Sequence, residues 1–347
     1  MKKEYFVIGG MAGSSMDGLD LAAVKFSFRN HGWIFDLVAC DTVAYPNELF
    51  HQLKHAISAS TIEKESLDHE FGRWIANQIR SFTDFQHADL VSMHGHTIEH
   101  NPDKGISWQL GSGETIADAL GTPTVTDFRS QDIELGGQGA PLVPFGDFAL
   151  FREYDACLNL GGIANISIRA AGIAGDLCPC NQVLNYYAGR LGHDFDDQGR
   201  LAEQGRLVVG LLNQLTKDPF FEKSFPKSLP NHYLKEDLLG SVHPKDGLRT
   251  YSELIAMQVA TSLTGTSNKG KLLITGGGAF NQFLVQSIRK KLPHWEIHVP
   301  STELVSFKEA IIFAFLGLKK QMNEVNVLST VTGAKHDTSS GVIHIPK

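Results

Sequence analysis

The sequence predicts an α/β protein built in two lobes, and three observations carry that prediction. The chain has 347 residues, too many for one ordinary core. Short apolar runs of strand character alternate with segments of 3.6-residue periodicity along its length. Three glycine clusters, Gly9-Gly10, Gly161-Gly162 and Gly276-Gly277-Gly278, follow directly on strand-like runs. Glycine loops at strand ends are where α/β proteins bind ligands.

The first two strands are expected at residues 5–8 and 21–26, joined as a hairpin. The turn between them reads Gly9-Gly10-Met11-Ala12-Gly13-Ser14-Ser15-Met16-Asp17-Gly18-Leu19-Asp20. A turn so dense in Gly, Ser and Asp can aim backbone N–H groups and hydroxyls at a phosphate. Asp17 could hold a magnesium ion that bridges phosphates. The spacing differs from the G-x-x-x-x-G-K-[ST] loop and no helix follows directly, which points to a hairpin-type ATP-binding fold. A tight turn without a ligand is the other reading.

Residues 88–93 read as a buried strand running into His94-Gly95-His96, and residues 123–128 as another. Residues 155–160 and 164–168 flank Gly161-Gly162 as a second hairpin. Residues 271–275 end in the third glycine cluster, which opens a helix near Ala279-Phe280-Asn281. Helical spacing recurs at Val183, Leu184, Tyr187, Ala188 and Leu191, with a helix expected over 179–192. It recurs at Leu254, Ile255, Val259 and Leu263, and at Ala310, Phe313, Ala314 and Leu316. Residues 217–245 carry four prolines and are expected to wander over the surface. Lobe I is expected over 1–130, with the tail 331–347 packing back on it, and lobe II over 131–330.

Composition excludes several classes. Apolar residues make up 42% and charged residues 20%, a soluble globular balance. A net charge of −7 without a basic stripe argues against a nucleic-acid partner. No apolar run reaches the ~18 residues of a membrane span. Met1-Lys2-Lys3-Glu4 leads into a strand without a signal-peptide apolar region, so a cytoplasmic location is expected. Cys40, Cys157, Cys178 and Cys180 lack zinc-site spacing and are expected as reduced thiols.

Longer blocks carry a resemblance. Gly136-Gly137-Gln138-Gly139-Ala140-Pro141-Leu142-Val143-Pro144, Asn159-Leu160-Gly161-Gly162-Ile163-Ala164-Asn165-Ile166 and Thr275-Gly276-Gly277-Gly278-Ala279-Phe280-Asn281 occur in order. Asp127-Phe128-Arg129-Ser130-Gln131-Asp132, Pro226-Lys227-Ser228 and Val331-Thr332-Gly333-Ala334 accompany them. With these blocks the whole chain resembles the anhydro-N-acetylmuramic acid kinases, within the actin, sugar-kinase and heat-shock ATPase superfamily. Two places depart from that pattern. The family's Met-Ser-Gly-Thr-Ser is Met11-Ala12-Gly13-Ser14-Ser15 here, and its Asp-Thr-Gly-Pro-Gly-Asn is Asp176-Leu177-Cys178-Pro179-Cys180-Asn181.

The resemblance implies two ribonuclease-H-like lobes, each a mixed sheet flanked by helices, with ATP in the cleft between them. It implies an enzyme that opens the 1,6-anhydro ring of its sugar with water and phosphorylates O6. Asp176 matches the general base, although a helix N-cap would also suit a carboxylate there. Gly13, Ser14, Ser15, Met16 and Gly18 would cradle the β- and γ-phosphates, with Asp17 and Asp20 near Mg2+. Asp20 could equally be a turn residue bonding its own backbone. Gly161 and Gly162 would meet the phosphates from the other lobe, and Gly276, Gly277 and Asn281 would lie near adenosine. His96 and Thr97 would line the sugar pocket. Arg129 would pair with the lactyl carboxylate, its alternative being an ion pair with Asp127 or Asp132. Gln138 would bond sugar hydroxyls or complete a turn. Glu309 would orient the sugar or serve as a first-turn helix acid. Members of the family are often dimeric, so a homodimer belongs to the expectation. A plain hydroxyl kinase of another amino sugar, its pocket reshaped by Cys178 and Cys180, and an inactive ATP- and sugar-binding sensor are the competing readings.

Overall fold

The computed structural model describes residues 4–13, 16–230, 233 and 239–347. Contacts divide the chain into two compact units, Met1–Phe151 with Phe307–Lys347, and Arg152–Ser306.

The first unit is built on β1 (Tyr5–Ala12), β2 (Leu19–Arg29), β3 (Gly32–Val43), β4 (Leu90–His94) and β7 (Thr124–Thr126). The ribbon β5 (His96–Asn101) and β6 (Ile106–Leu110) lies apart from this sheet. β1, β2 and β3 form an antiparallel meander, and β4 and then β7 add to β1 in parallel. The C-terminal strand Val342–His344 closes the far edge against β7. β4 is buried along its whole length, as a parallel strand covered on both faces must be.

The second unit repeats the plan with β8 (Ala156–Leu160), β9 (Ile163–Ile168), β10 (Ile173–Pro179), β11 (Gly270–Thr275) and β12 (Trp295–His298). Again three strands meander antiparallel, and two more add to the first of them in parallel. This is the ribonuclease-H-like arrangement implied by the resemblance, present once in each unit.

Local chemistry starts and stops the flanking helices. Ser60 and Glu63 form a reciprocal capping box at the start of the helix Thr61–Phe82. Ser112 caps Gly113–Leu120, and Gly121 ends it in the left-handed conformation. Pro244 opens Pro244–Thr264, where its missing N–H costs nothing. Among the described residues no helix is long and apolar enough to cross a membrane.

Gly9 and Gly10 do not end a strand as expected; they lie inside β1. A Cβ on Gly9 would sit 2.2 Å from the carbonyl oxygen of Ala310 and 2.7 Å from the Cβ of Ala314. The glycine lets the helix Thr302–Gln321 rest its backbone on the central strand. On that helix Phe315 packs its ring against Phe26, Trp33 and Phe145, at 5.4, 5.5 and 5.9 Å between centroids. The same helix carries Lys308, which pairs at 2.9 Å with Asp147 of the helix Val143–Leu150, both side chains almost wholly buried. These contacts draw residues 131–151 and 307–330 into the first unit, so its boundaries fall elsewhere than the expected 130 and 330.

Substituting Gly9→Ala forces a side-chain carbon against backbone that cannot swing aside. Overpacking of this kind costs roughly 1–3 kcal/mol. The expected outcome is a fall in melting temperature of about 2–10 °C, measured by differential scanning calorimetry.

Candidate active site

Within the first unit, the β1–β2 turn is the structural centre of the candidate site. Ser14 and Ser15 lie outside the described residues. Around them Gly13 accepts from the Met16 N–H at 3.3 Å. Met16 has φ +62°, an uncommon conformation for a side-chain-bearing residue, and Gly18 has φ +153°. Strain of this kind is often kept where a loop serves a ligand. Asp17 is exposed at the tip. Asp20 is not a turn residue bonding its own backbone: it lies in β2, and its carboxylate accepts from the Thr42 hydroxyl at 2.6 Å. Burial raises the Asp20 pKa, the Thr42 bond offsets part of this, and Asp17 pushes it further up.

Residues of β5 and of the helix Thr302–Gln321 lie near this turn. His96, at the start of β5, is buried, and its ring lies against the backbone carbonyls of Gly13 and Leu53. It therefore touches the β1–β2 turn itself. Burial lowers its pKa, with the Gly13 and Leu53 carbonyls opposing. Thr97 follows it, half-buried and paired with Gln109 across the ribbon. Glu309 sits in the middle of Thr302–Gln321, not in a first turn. Its carboxyl is raised by burial, with Lys308 and Arg129 opposing and Asp20 and Asp147 adding. Asp20, Arg129 and Glu309 thus share one electrostatic neighbourhood.

Arg129 makes no hydrogen bond to Asp127 or Asp132. Its Nε and Nη2 both point to Nε2 of His94, at 3.0 and 2.8 Å, and its Nη1 donates to the Gly139 carbonyl at 2.6 Å. Asp127 instead accepts from the backbone and hydroxyl of Ser130. Asp132, fully buried, accepts from the Gly139 N–H at 2.8 Å and the Thr332 hydroxyl at 2.7 Å. Gln138 is exposed at the crest of this loop, its N–H bonded to the Thr332 carbonyl at 2.8 Å. The blocks around Gly136 and Thr332, far apart in sequence, are one structural feature.

In the second unit the β8–β9 turn carries Gly161 and Gly162. Their carbonyls accept from the N–H groups of Cys180, Asn181 and Gln182. Neither has positive φ, and a Cβ on either would meet only ordinary contacts at 3.4 Å or more. Nothing in the fold requires glycine there, whereas a ligand approaching the backbone would. Gly276 is the opposite case: its φ is +79° and a Cβ would strike Oδ1 of Asn159 at 2.3 Å. Gly277 is exposed with open surroundings. Asn281 spends its side chain as the N-cap of Gln282–Lys291, accepting from Leu284 N–H at 2.9 Å. The sequence reading missed Asn181, whose amide donates to the Leu160 carbonyl at 2.9 Å and ties the β8 end to the helix Asn181–Gly189. Its place directly after Pro179-Cys180 in a recognised block was the available signal.

Asp176 is not a helix N-cap. It lies in β10 at a bulge, and Cys180 occupies the cap position of Asn181–Gly189. Asp176 itself stays paired with Asn165, and Leu177 is the residue that the bulge leaves out of the ladder. The Leu229 N–H donates to Oδ2 at 2.7 Å, and the Ser228 hydroxyl also bonds the carboxylate. Burial raises its pKa and these two donors offset part of the rise. Cys178 and Cys180 point into the core, where burial raises both thiols, Cys180 to about 12. Both are packing residues of the second unit's core.

The family profile described as anhydro-N-acetylmuramic acid kinase matches residues 5–346. A relative of that name from Caldanaerobacter subterraneus subsp. tengcongensis is 31% identical, over 99% of this chain and 98% of its own. One from Shewanella baltica is 33% identical, over 98% of each chain. Among solved structures, component A of (R)-2-hydroxyglutaryl-CoA dehydratase from Acidaminococcus fermentans aligns at 13% identity with a TM-score of 0.46, over 92% of this chain and 99% of that one. A profile match from the first strand to the last, with relatives matched end to end, decides the family: this chain belongs to the anhydro-N-acetylmuramic acid kinases.

Proposed function

We propose that the protein is an ATP-dependent kinase that hydrolytically opens 1,6-anhydro-N-acetylmuramic acid and phosphorylates O6. Water attacks the anomeric carbon and gives a proton to Asp176. The bond from the anomeric carbon to O6 breaks, O6 takes the γ-phosphoryl group, and ADP leaves. The products are N-acetylmuramic acid 6-phosphate and ADP. The observation that carries this reading is the Asp176 carboxylate, half-buried and anchored by Leu229 and Ser228 in a chain matched to the family over 5–346. A base desolvated in this way has its pKa moved toward the working pH, as proton abstraction needs.

Gly13, Ser14, Ser15, Met16, Gly18, Gly161 and Gly162 are assigned to the phosphates, and Gly276, Gly277 and Asn281 to the adenosine side. Arg129 is assigned to the lactyl carboxylate, and Thr97, Gln138 and Glu309 to the sugar. His96 supports the phosphate turn from behind and borders the sugar side. Among the described residues no group of three or more His, Cys, Asp or Glu side chains is arranged to hold a metal. Mg2+ does not require one, because it takes one or two carboxylates with phosphate oxygens and water. Asp17 and Asp20 fit that donor set, and the ion would neutralise charge on the phosphates. A cytoplasmic location and a homodimer complete the reading. The plain-kinase alternative loses its motive with Cys178 and Cys180 in the core.

Purified protein with ATP and Mg2+ is expected to release ADP with the anhydro sugar, and not with N-acetylmuramic acid or N-acetylglucosamine. Asp176→Asn should lower this turnover by about 10²–10⁴; turnover with an open-ring sugar alone would sink the proposal.

The base must be ionised to act, so kcat/KM is expected to fall as pH drops through a pKa above the usual carboxylate range. Ser228→Ala removes a donor to the charged form, and the acid limb should move to higher pH. An unmoved limb would take Asp176 out of the base role.

Gly161→Ala and Gly162→Ala are expected to raise the KM for ATP while leaving the melting temperature nearly unchanged. Gly276→Ala should lower the melting temperature itself, because its φ and its crowding both oppose a side chain.

A further inference from the structure

The guanidinium of Arg129 is held by neutral acceptors alone. Nε2 of His94 receives Nε at 3.0 Å and Nη2 at 2.8 Å, and the Gly139 carbonyl receives Nη1 at 2.6 Å. An imidazole nitrogen that accepts carries no proton, so His94 is neutral with its proton on Nδ1. Burial and the adjacent Arg129 charge both hold its pKa well below the ordinary value. The ring is 4% exposed and stacks at a tilt on Phe313, with centroids 4.6 Å apart. It is therefore fixed in place before any ligand arrives. Gly139 is fixed as well, since its N–H is bonded to the buried Asp132.

The choice of partner matters physically. A carboxylate at the His94 position would orient the arginine and also cancel its charge. A neutral imidazole orients it and leaves the charge available. Asp127, Asp132 and Glu309 lie within electrostatic reach, but the hydrogen bonds of Asp127 and Asp132 go to Ser130, Gly139 and Thr332. Arginine has five N–H donors. Three are directed to His94 and Gly139, which leaves one on each terminal nitrogen among the described residues. Two N–H groups on the two terminal nitrogens of an aimed guanidinium, hydrogen-bonded to no carboxylate among the described residues, suit a planar carboxylate.

We propose that His94 is a positioning residue for substrate selection: it locks Arg129 as a charged, pre-aimed receptor for the carboxylate that distinguishes a muramic sugar from a glucosamine sugar. This rests on the proposed assignment of Arg129 to the lactyl carboxylate. His94 itself touches no substrate.

The test is steady-state kinetics of the full chain with ATP and two sugars, 1,6-anhydro-N-acetylmuramic acid and 1,6-anhydro-N-acetylglucosamine, which lacks the lactyl carboxylate. Wild type is expected to prefer the first sugar. His94→Phe keeps a ring against Phe313 but offers no acceptor. It should reduce the preference roughly ten-fold or more, through KM for the carboxylate sugar, with KM for ATP little changed. His94→Gln, whose side-chain oxygen can accept, should restore part of it. His94→Leu serves as the acceptor-free variant if His94→Phe does not melt cooperatively. Wild type without any preference would overturn the Arg129 assignment and this inference with it. A wild-type preference that survives intact in the acceptor-free variant would overturn the His94 role alone.

Discussion

The close approach of a helix backbone to the central strand at Gly9 organises the first unit. β1 carries β2 on one side and β4 on the other, so anything that moves it moves the whole sheet. Because Gly9 has no side chain, Ala310 and Ala314 come against the strand itself. From that contact the Thr302–Gln321 helix gains a fixed rotation. Lys308 then reaches Asp147, Phe313 meets the His94 ring, Phe315 fills the aromatic core, and Glu309 comes within reach of Asp20 and Arg129. A buried ion pair such as Lys308–Asp147 contributes little net stability once desolvation is counted, but breaking it leaves an uncompensated charge. Its effect here is to forbid other rotations of the helix.

A second organising group is the Asp132 carboxylate. It ties the glycine-rich loop near Gly139 to the C-terminal segment at Thr332. A buried carboxylate with its oxygens satisfied rigidifies what it binds. The loop then presents the Gly139 carbonyl to Arg129, so the orientation of one half-buried cation depends on a chain of buried polar contacts. Gln138, at the crest, is left exposed.

The glycines divide by physical demand. Gly9 and Gly276 are required by the fold, one by close packing and the other by backbone angle and crowding. Gly161 and Gly162 are required by neither. The same residue type in similar-looking motifs thus serves folding in one place and is free of that demand in another. Asp176 shows the related point for a carboxylate: it keeps its place in the β10 ladder beside the bulge while its side chain takes the donors at residues 228 and 229.

Much of the fold was legible in the sequence because its signals are local. Alternation and apolar runs marked β1, β2, β4, β8, β9 and β11, and periodicity marked the helices, since each pattern reports on a few neighbouring residues. The candidate residues were legible because their order along the chain repeats a family's blocks. The sequence could not say that Gly9 lies within a strand, that Asp176 is at a bulge, that Glu309 is mid-helix, or that Cys178 and Cys180 face a core. Each of those depends on contacts between residues far apart in the chain. The sequence alone determined an α/β kinase of this family and the candidate residues for its site. Only the tertiary structure decided that Arg129 is held by a neutral histidine and a carbonyl in place of an aspartate, because a side chain's partner is set by which groups packing brings within about 3 Å, not by which stand nearest in sequence.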